Sequence, residues 1–286
     1  MCDDFTLEAE RAALSRRQFG AGSAAAAIAV CAASTASAKG AAKLREAMVA
    51  VPTPDGSCDA FFVHPAKGRH PAVIMWPDIG GLRDAYKEMA RRLAASGYAV
   101  LAVNQYYRGG KSPLLESFAQ WRTPDGQAKL KPLIAQINPQ ATSSDAKAFV
   151  AWLDGQKAVD TGRGIGSNGY CMGGPFTVRT AAAAPDRVKA AASFHGGGLV
   201  TEAEDSPHRL LARTRASFLF AIARNDDARA PADKDKLRAA ADAAGRLAEI
   251  EVYPADHGWC TIDAPVHDRA QADRAWERML ALFARL

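Results

Sequence analysis

Mainly apolar runs of five to seven residues recur along this chain, and longer amphipathic segments separate most of them. Runs of that length favour buried strands, whereas apolar residues three or four positions apart favour helices. Their alternation indicates an α/β fold, in which helices cover both faces of a mostly parallel sheet. The predicted strands are 59–64, 72–76, 98–103, 164–170, 190–194, 217–223 and 249–253, and the predicted helices are 84–95, 144–153, 176–184, 232–244 and 269–286.

One long segment, residues 108–141 (the excursion), interrupts this alternation. It shows no sustained period, and four separated prolines divide it. Long irregular segments in compact domains are often lids or binding loops. Two aromatic residues of the excursion, Phe118 and Trp121, either reach a substrate or anchor the segment to the domain.

The first 38 residues have the composition of an export signal. The pair Arg16-Arg17 precedes an alanine-rich, mildly apolar stretch that ends at Ala36-Ser37-Ala38. A charged start, a short apolar centre and an A-x-A site are typical of a cleaved signal peptide, and paired arginines mark the twin-arginine route of bacteria. We expect residues 1–38 to engage the twin-arginine export machinery and to direct the protein to the periplasm or outside the cell. The alternative is an alanine-rich tail.

Composition narrows the class of protein further. The N-terminal stretch is too short and too rich in small residues to span a bilayer, so we expect no stable membrane insertion. Residues 39–286 have the length of one sizeable domain. The formal net charge of the chain is +5 at pH 7. No basic run or aromatic–basic array accompanies that charge, which argues against nucleic acid as a partner.

The segment Gly169-Tyr170-Cys171-Met172-Gly173-Gly174 contains a G-x-C-x-G element. This is the cysteine form of the nucleophile elbow, a sharp turn between a strand and a helix in α/β-hydrolases. Glycines flank the nucleophile because side chains there would collide. The turn also aims the next N–H, that of Met172, at a forming oxyanion. A predicted strand precedes Cys171 and a predicted helix follows it. The alternative is a buried structural cysteine in a glycine-rich turn.

A thiol nucleophile needs a base, and the base needs an orienting acid. In α/β-hydrolases the three follow in the order nucleophile, acid, histidine. His257 lies in a turn just after the predicted strand 249–253, where open α/β sheets place their chemistry. Asp226 follows the strand 217–223 and is our candidate acid, with Asp227 in reserve. Either carboxylate could instead cap the next helix.

For one further histidine and two further cysteines, the sequence leaves more than one role possible. His195 follows the predicted strand 190–194 and either lines the substrate pocket or bonds to local backbone. Cys58 and Cys260 could form a disulfide in an oxidising compartment, although nothing in the sequence brings them together. No His, Cys or Asp cluster has the spacing of metal ligands. We therefore expect no metal and no other cofactor.

Taken together, these motifs resemble the dienelactone hydrolase family. The resemblance rests on the elbow and on three further elements, in the family's order over residues 58–286: the run 73–81, the acid after 217–223 and the turn 253–258. It implies an α/β-hydrolase fold and a triad of Cys171, His257 and Asp226 that opens lactones or related esters. It also implies an oxyanion hole formed by the N–H groups of Met172 and Ile79.

The resemblance also implies which residues select the substrate. Asp78 stands where the dienelactone enzyme has a thiol-tuning glutamate, so it either tunes the thiol or is a plain loop carboxylate. Arg108 matches one of two arginines that clamp that enzyme's substrate carboxylate, or it is a surface cation. The second arginine's place falls in Trp259-Cys260-Thr261, where Trp259 adds apolar surface. We therefore expect neutral, more hydrophobic esters or lactones to be hydrolysed at least as well as carboxylated dienelactones.

These features predict an exported thiol hydrolase whose partner is a small-molecule lactone or carboxylic ester. Cys171 would attack the carbonyl, and His257 would transfer the proton. Two other functions use the same features. One is a thiol peptidase or acyltransferase with the same three residues, and the other is a non-catalytic binding protein on a hydrolase fold. Assays of lactones, nitrophenyl esters and peptides side by side separate these functions.

Overall fold

The computed structural model describes residues 43–286, and an eight-stranded sheet runs through that part of the chain. Its strands are β1 (Leu44–Thr53), β2 (Gly56–Pro65), β3 (Ala72–Trp76), β4 (Ala99–Val103), β5 (Ile165–Tyr170), β6 (Val188–Phe194), β7 (Ser217–Ala223) and β8 (Ala248–Tyr253). They lie in the order β1-β2-β4-β3-β5-β6-β7-β8. β2 is antiparallel to β1 and β4, and the remaining pairs are parallel.

Helices cover both faces of this sheet. In the described range they are α1 (Asp84–Ala95), α2 (Phe118–Trp121), α3 (Pro124–Ile134), α4 (Pro139–Asp154), α5 (Gly174–Ala183), α6 (Pro207–Leu210), α7 (Arg224–Arg229), α8 (Asp233–Ala243) and α9 (Arg269–Phe283). One core joins α4, α5 and α8 to the sheet, and a second core joins α1 and α9 to its other face. The predicted fold class, an α/β-hydrolase fold with a mostly parallel sheet, is confirmed.

The strands β3 and β4 are apolar throughout because the sheet is buried on both sides there. In β3, Ile74 and Trp76 enter the core under α4 and α5, whereas Val73 and Met75 enter the core under α1 and α9. Successive side chains of a strand point to opposite faces, so a doubly covered strand reads as a continuous apolar run. This is why the predicted bounds of β3 agree with the structure.

The sequence pattern missed β1, which is an edge strand. β1 pairs with β2 alone, and most of its residues are exposed. Its sequence begins with Leu44-Arg45-Glu46, and Val51 is its one buried residue. Val49 and Val51 pack on the core under α4, α5 and α8, but this short apolar alternation is too brief to stand out in the sequence.

The excursion is largely helical, not irregular. It contains α2, α3 and the start of α4. Pro124 and Pro139 occupy the first turns of α3 and α4, where a missing N–H is tolerated. The side chains of Thr123 and Asn138 cap these two helices. Two of the four prolines that suggest breaks in the chain therefore mark helix starts, whereas Pro132 lies inside α3.

Three further expectations concern the export signal, membrane insertion and metal binding. The predicted signal, residues 1–38, lies outside them. No helix within residues 43–286 is long and apolar enough to cross a membrane. Within the same range, no group of three or more His, Cys, Asp or Glu side chains is placed to hold a metal ion.

Cys58 and Cys260 do not form the disulfide that the sequence allowed. Both are free thiols, and they belong to the cores on opposite faces of the sheet. Burial raises the pKa of each thiol. Because the thiolate is the reactive form of cysteine, these two side chains are inert parts of the core.

The topology gathers the candidate residues at one edge of the sheet. β3, β5, β6, β7 and β8 are successive parallel neighbours, so their carboxyl ends lie side by side. The residues that follow these ends are the loop 77–81, Cys171, His195, Asp226 and His257. Open α/β sheets bind their ligands at this edge.

Candidate active site

Cys171 lies in a sharp turn between β5 and α5 and has a φ of +52°. A non-glycine residue with positive φ is strained, and such residues concentrate at functional sites. A Cβ on Gly169 would lie 2.1 Å from the carbonyl oxygen of Gly173. One on Gly173 would lie 2.4 Å from the carbonyl oxygen of Trp76. The turn therefore requires both glycines, as the elbow motif predicted.

The ring of His257 lies between Cys171 and Asp226. It forms a hydrogen bond with the Cys171 thiol, and its Nδ1 donates to Oδ2 of Asp226 at 2.6 Å. Asp227 instead forms a 2.6 Å ion pair with Lys234. Of the two candidate acids, Asp226 is therefore the one that bonds to His257.

The surroundings of His257 favour its charged form. Burial disfavours a charge on the ring, but the negative charge and hydrogen bond of a Cys171 thiolate oppose this, as do the hydrogen bond and charge of Asp226. The pKa of His257 is therefore raised well above its ordinary value of 6.5. An imidazolium between a thiolate and a carboxylate can donate a proton to a leaving group and afterwards accept one from water.

His195 is fully buried and lies next to Cys171 and His257. Its Nδ1 accepts the N–H of Cys171 at 3.1 Å. Its ring centroid lies 5.0 Å from that of His257 and 5.0 Å from that of Trp259. Burial, together with the charge of His257, holds the pKa of His195 well below 6.5. The histidine therefore bonds to backbone, one of its two expected roles, and that backbone belongs to Cys171.

Three side chains hold the loop 77–81 after β3. Gln105 donates its Nε2–H to the Asp78 carbonyl at 2.7 Å, and Tyr106 donates its hydroxyl to the Ile79 carbonyl at 2.8 Å. The hydroxyl of Tyr86 accepts the Asp78 N–H at 2.9 Å. Sequence analysis missed these residues because single polar side chains in apolar segments follow no pattern.

The N–H groups expected to form an oxyanion hole are available. Within residues 43–286, the Ile79 N–H has no protein acceptor. The Met172 N–H lies in the first turn of a 3-10 segment, Cys171–Gly173, where N–H groups have no intrahelical acceptor. The Tyr106 hydroxyl oxygen, which bonds the Ile79 carbonyl, also lies 3.8 Å from the Met172 sulfur. One tyrosine thus contacts both residues.

Asp78, which the resemblance left as either a thiol-tuning residue or a plain loop carboxylate, is buried in an ion pair with Arg83. The Nη1 and Nη2 of Arg83 donate to its two carboxylate oxygens at 2.7 and 2.9 Å. Arg83 also bonds Asp263 at 2.8 and 2.7 Å, and Asp263 accepts the N–H of Phe118 at 2.9 Å. The loop 77–81 is therefore tied to the loop after His257 and to the excursion.

Comparison with known protein families shows that residues 58–286 match the dienelactone hydrolase family. The chain belongs to that family. It is accordingly a hydrolase that acts on carboxylic esters or lactones.

Individual members of the dienelactone hydrolase family are moderately similar to this chain. A protein of Methylorubrum extorquens named "Putative carboxymethylenebutenolidase" is 30% identical over 240 residues, which are 82% of this chain and 79% of that protein. A protein of the same name from Salmonella typhi is 28% identical over 243 residues, 83% and 86% of the two chains. The crystal structure of a "Putative Dienelactone Hydrolase" from Klebsiella pneumoniae has a TM-score of 0.73 at 25% identity, covering 85% of this chain and 100% of that one.

In this member of the dienelactone hydrolase family, Arg108 is already paired. Its Nε and Nη2 donate to Asp55 at 3.0 and 2.6 Å, and its Nη1 and Nη2 donate to Asp145 at 2.8 Å each. Its guanidinium also lies over the ring of Tyr107, 4.5 Å from the centroid. Arg108, expected to be either a substrate clamp or a surface cation, is thus bound to two carboxylates of the protein itself.

Trp259 does not offer apolar surface to a substrate, contrary to expectation. Its side chain is fully buried, stacks on Tyr253 at 5.3 Å and meets His195 edge to face at 5.0 Å. Thr261, near the place of the second clamp arginine, is also buried. Trp259 therefore packs against the His195 ring and helps to hold it in place.

The excursion packs beside the expected oxyanion hole. Its buried residues Leu115, Trp121 and Leu130 form a small core with Ile79, and Met172 packs against that core. Trp121 is therefore an anchor, one of the two roles expected for the aromatic residues of the excursion. Because the same core includes the side chains of both expected oxyanion donors, the excursion and the oxyanion hole support each other.

Proposed function

We propose that this hydrolase uses Cys171, His257 and Asp226 as a catalytic triad. The observation that carries the proposal is the hydrogen-bonded path from thiol to imidazole to carboxylate at the edge of the sheet where ligands bind. Relatives that carry the name carboxymethylenebutenolidase, and a solved structure that carries the name dienelactone hydrolase, support a lactone or a small carboxylic ester as substrate.

In the proposed mechanism, the Cys171 thiolate attacks the substrate carbonyl carbon. The N–H groups of Ile79 and Met172 bind the resulting oxyanion. When the tetrahedral intermediate collapses, the C–O bond breaks and the His257 imidazolium protonates the departing alkoxide. Neutral His257 then takes a proton from water, which attacks the thioester and releases the acid and the thiolate. Asp226 orients the imidazole and stabilises its charged form.

Trapping the thioester tests this proposal. The protein is mixed with a nitrophenyl ester, quenched in acid and digested. The acyl mass is expected on the peptide that contains Cys171. Cys58 and Cys260 are internal controls, because their buried thiols should remain unmodified. An acyl group on another residue, or turnover with no trapped acyl group, would contradict the proposed nucleophile.

We further propose that neutral substrates are handled at least as well as carboxylated ones. Arg108 is occupied by Asp55 and Asp145, and the second clamp position has no charged side chain. A charge-assisted hydrogen bond contributes about 1.5–3 kcal/mol, or about ten- to a hundredfold in binding. Without a free cation, a substrate carboxylate would gain little of this energy.

We expect kcat/KM for a methyl-capped lactone to equal or exceed that for the matched free carboxylate. The physical reason is that desolvating the carboxylate is not offset by a cation. The measurement compares the two substrates with wild type and with Arg108→Ala, at equal folded fractions. A strong preference for the carboxylate that disappears in Arg108→Ala would show that Arg108 leaves its partners to bind substrate.

We also propose twin-arginine export, which the composition of residues 1–38 supports. Replacing Arg16 and Arg17 together by Lys is expected to leave full-length precursor in the cytoplasm, because the route recognises the arginine pair. Cell fractionation with N-terminal sequencing measures this, and mature protein should begin at Lys39. The matched control is Arg11→Lys, outside the pair. Normal export of the double variant would contradict the route.

A further inference from the structure

Two non-glycine residues of the described chain have positive φ, and they are bonded to each other. Cys171 has a φ of +52° and His195 a φ of +40°. The N–H of the first donates to Nδ1 of the second at 3.1 Å. Strained backbone persists only where the surrounding structure holds it in place. The strain at the end of β5 and the strain at the end of β6 are therefore parts of one arrangement.

The backbone around both residues is packed too tightly to shift independently. A Cβ on Gly174, at the start of α5, would lie 2.5 Å from the Cα of Gly196, the residue after His195. The His195 N–H donates to the Ala221 carbonyl of β7 at 2.8 Å, which fixes this turn to the next strand. The backbone that carries the His195 ring is thus bonded to β7 and packed against the start of α5.

The ring itself is confined on its sides. It is fully buried, between the rings of His257 and Trp259 at 5.0 Å each and that of Tyr170 at 6.2 Å. Nδ1 can accept the Cys171 N–H only when it carries no proton. The ring is then neutral with its proton on Nε2, a state that the apolar surroundings and the neighbouring charge of His257 also favour.

We propose that His195 is a positioning residue for the nucleophile. By accepting the Cys171 N–H, it holds the elbow so that the thiol faces His257 and the next N–H, that of Met172, faces the substrate carbonyl. The proposal rests on the proposed function, in which Cys171 attacks the substrate. It assigns His195 no contact with the substrate and no proton transfer.

Three substitutions separate this role from simple packing. In His195→Asn the side-chain Oδ1 lies near the place of Nδ1, and asparagine tolerates positive φ. In His195→Gln the Oε1 lies near the place of Nε2, so the acceptor for Cys171 is lost. His195→Phe keeps the aromatic ring without any acceptor. Asparagine should therefore rescue the function, whereas glutamine and phenylalanine should not.

For an ester substrate, we expect kcat of the asparagine variant to lie within about tenfold of wild type. The glutamine and phenylalanine variants should lose about 100-fold in kcat, because a small misplacement of reacting groups costs about 100-fold in rate. KM should change little in all three variants. Iodoacetamide alkylation of Cys171 should also slow at neutral pH in the glutamine and phenylalanine variants, since the thiol no longer faces His257. Equal activity in all three variants, or losses that only follow the melting temperature, would overturn the proposal.

Two further measurements keep the test decisive. ¹⁵N NMR of the wild-type imidazole should show Nδ1 unprotonated and Nε2 protonated, and the opposite tautomer would overturn the proposal even if variants fail to fold. Cys171→Ala is assayed in parallel. Retained turnover in Cys171→Ala would refute the proposed nucleophile. An inactive Cys171→Ala together with fully active glutamine and phenylalanine variants would refute the role of His195 alone.

Discussion

Replacing Cys171 by Ala is expected to abolish ester turnover while the fold remains intact. The substitution removes the atom that would attack the carbonyl, and loss of a nucleophile in a comparable triad costs on the order of 10⁶ in kcat. Alanine also has a smaller side chain, so no new clash arises at the strained turn. The measurements are kcat for a nitrophenyl ester and the melting temperature. Cys171→Ser should be poor too, because a hydroxyl is far harder to ionise than a thiol.

The matched control for this experiment is Cys58→Ala. Cys58 lies in the core on β2, and its thiol contacts the carbonyls of Asp59 and Asn104. We expect this variant to lose some stability and to keep its kcat, since the thiol is buried in the core and β2 lies three strands away from β5, the strand that leads to Cys171. Retention of most activity in Cys171→Ala would mean that another residue carries the chemistry.

The second large effect is expected for the orienting acid. Asp226→Asn should lower kcat/KM by on the order of 10⁴, as the same change does in a comparable triad. Asparagine keeps the shape of the side chain but can present an amide to Nδ1, which favours the wrong tautomer of His257. Asp227→Asn is the control, because Asp227 pairs with Lys234 and not with the histidine. The reverse ranking of the two variants would move the acid by one position.

Only one of these two variants should change the titration of His257. Burial lowers the pKa of this histidine, whereas a thiolate at Cys171 and the carboxylate of Asp226 raise it. The Asp226→Asn substitution removes one of the negative charges that raise the pKa of His257. The imidazolium of this variant should therefore lose its proton at a lower pH than in wild type. Asp227→Asn should leave the titration in place. NMR of the His257 ring protons as a function of pH measures both.

Asp78 shows how a family resemblance can place a residue without predicting its contacts. Both of its carboxylate oxygens bond Arg83, and Oδ1 also accepts the N–H of Gly80. Buried ion pairs contribute little net stability because desolvation offsets their attraction, and they are better explained by the geometry that they specify. Here the specified geometry is the path of the loop that carries Ile79.

The sequence alone determined the layers of the fold and the edge of the sheet at which the candidate residues lie. The runs 72–76 and 217–223 were predicted with the bounds of β3 and β7, because a strand covered on both faces is a nearly continuous apolar run. The elbow around Cys171 was equally evident, because its glycines are demanded by contacts within a few residues. Patterns of this kind are local, and a linear sequence displays them directly.

Only the tertiary structure decided which side chains meet. Asp226 and Asp227 are adjacent and chemically identical, and the choice between them depends on which one faces a loop about 30 residues away. The bond of His195 to the elbow, and the occupation of Arg108 by Asp55 and Asp145, join segments from different strands and helices. A side chain's direction is set by the packing of elements distant in sequence, and composition and spacing do not encode it locally.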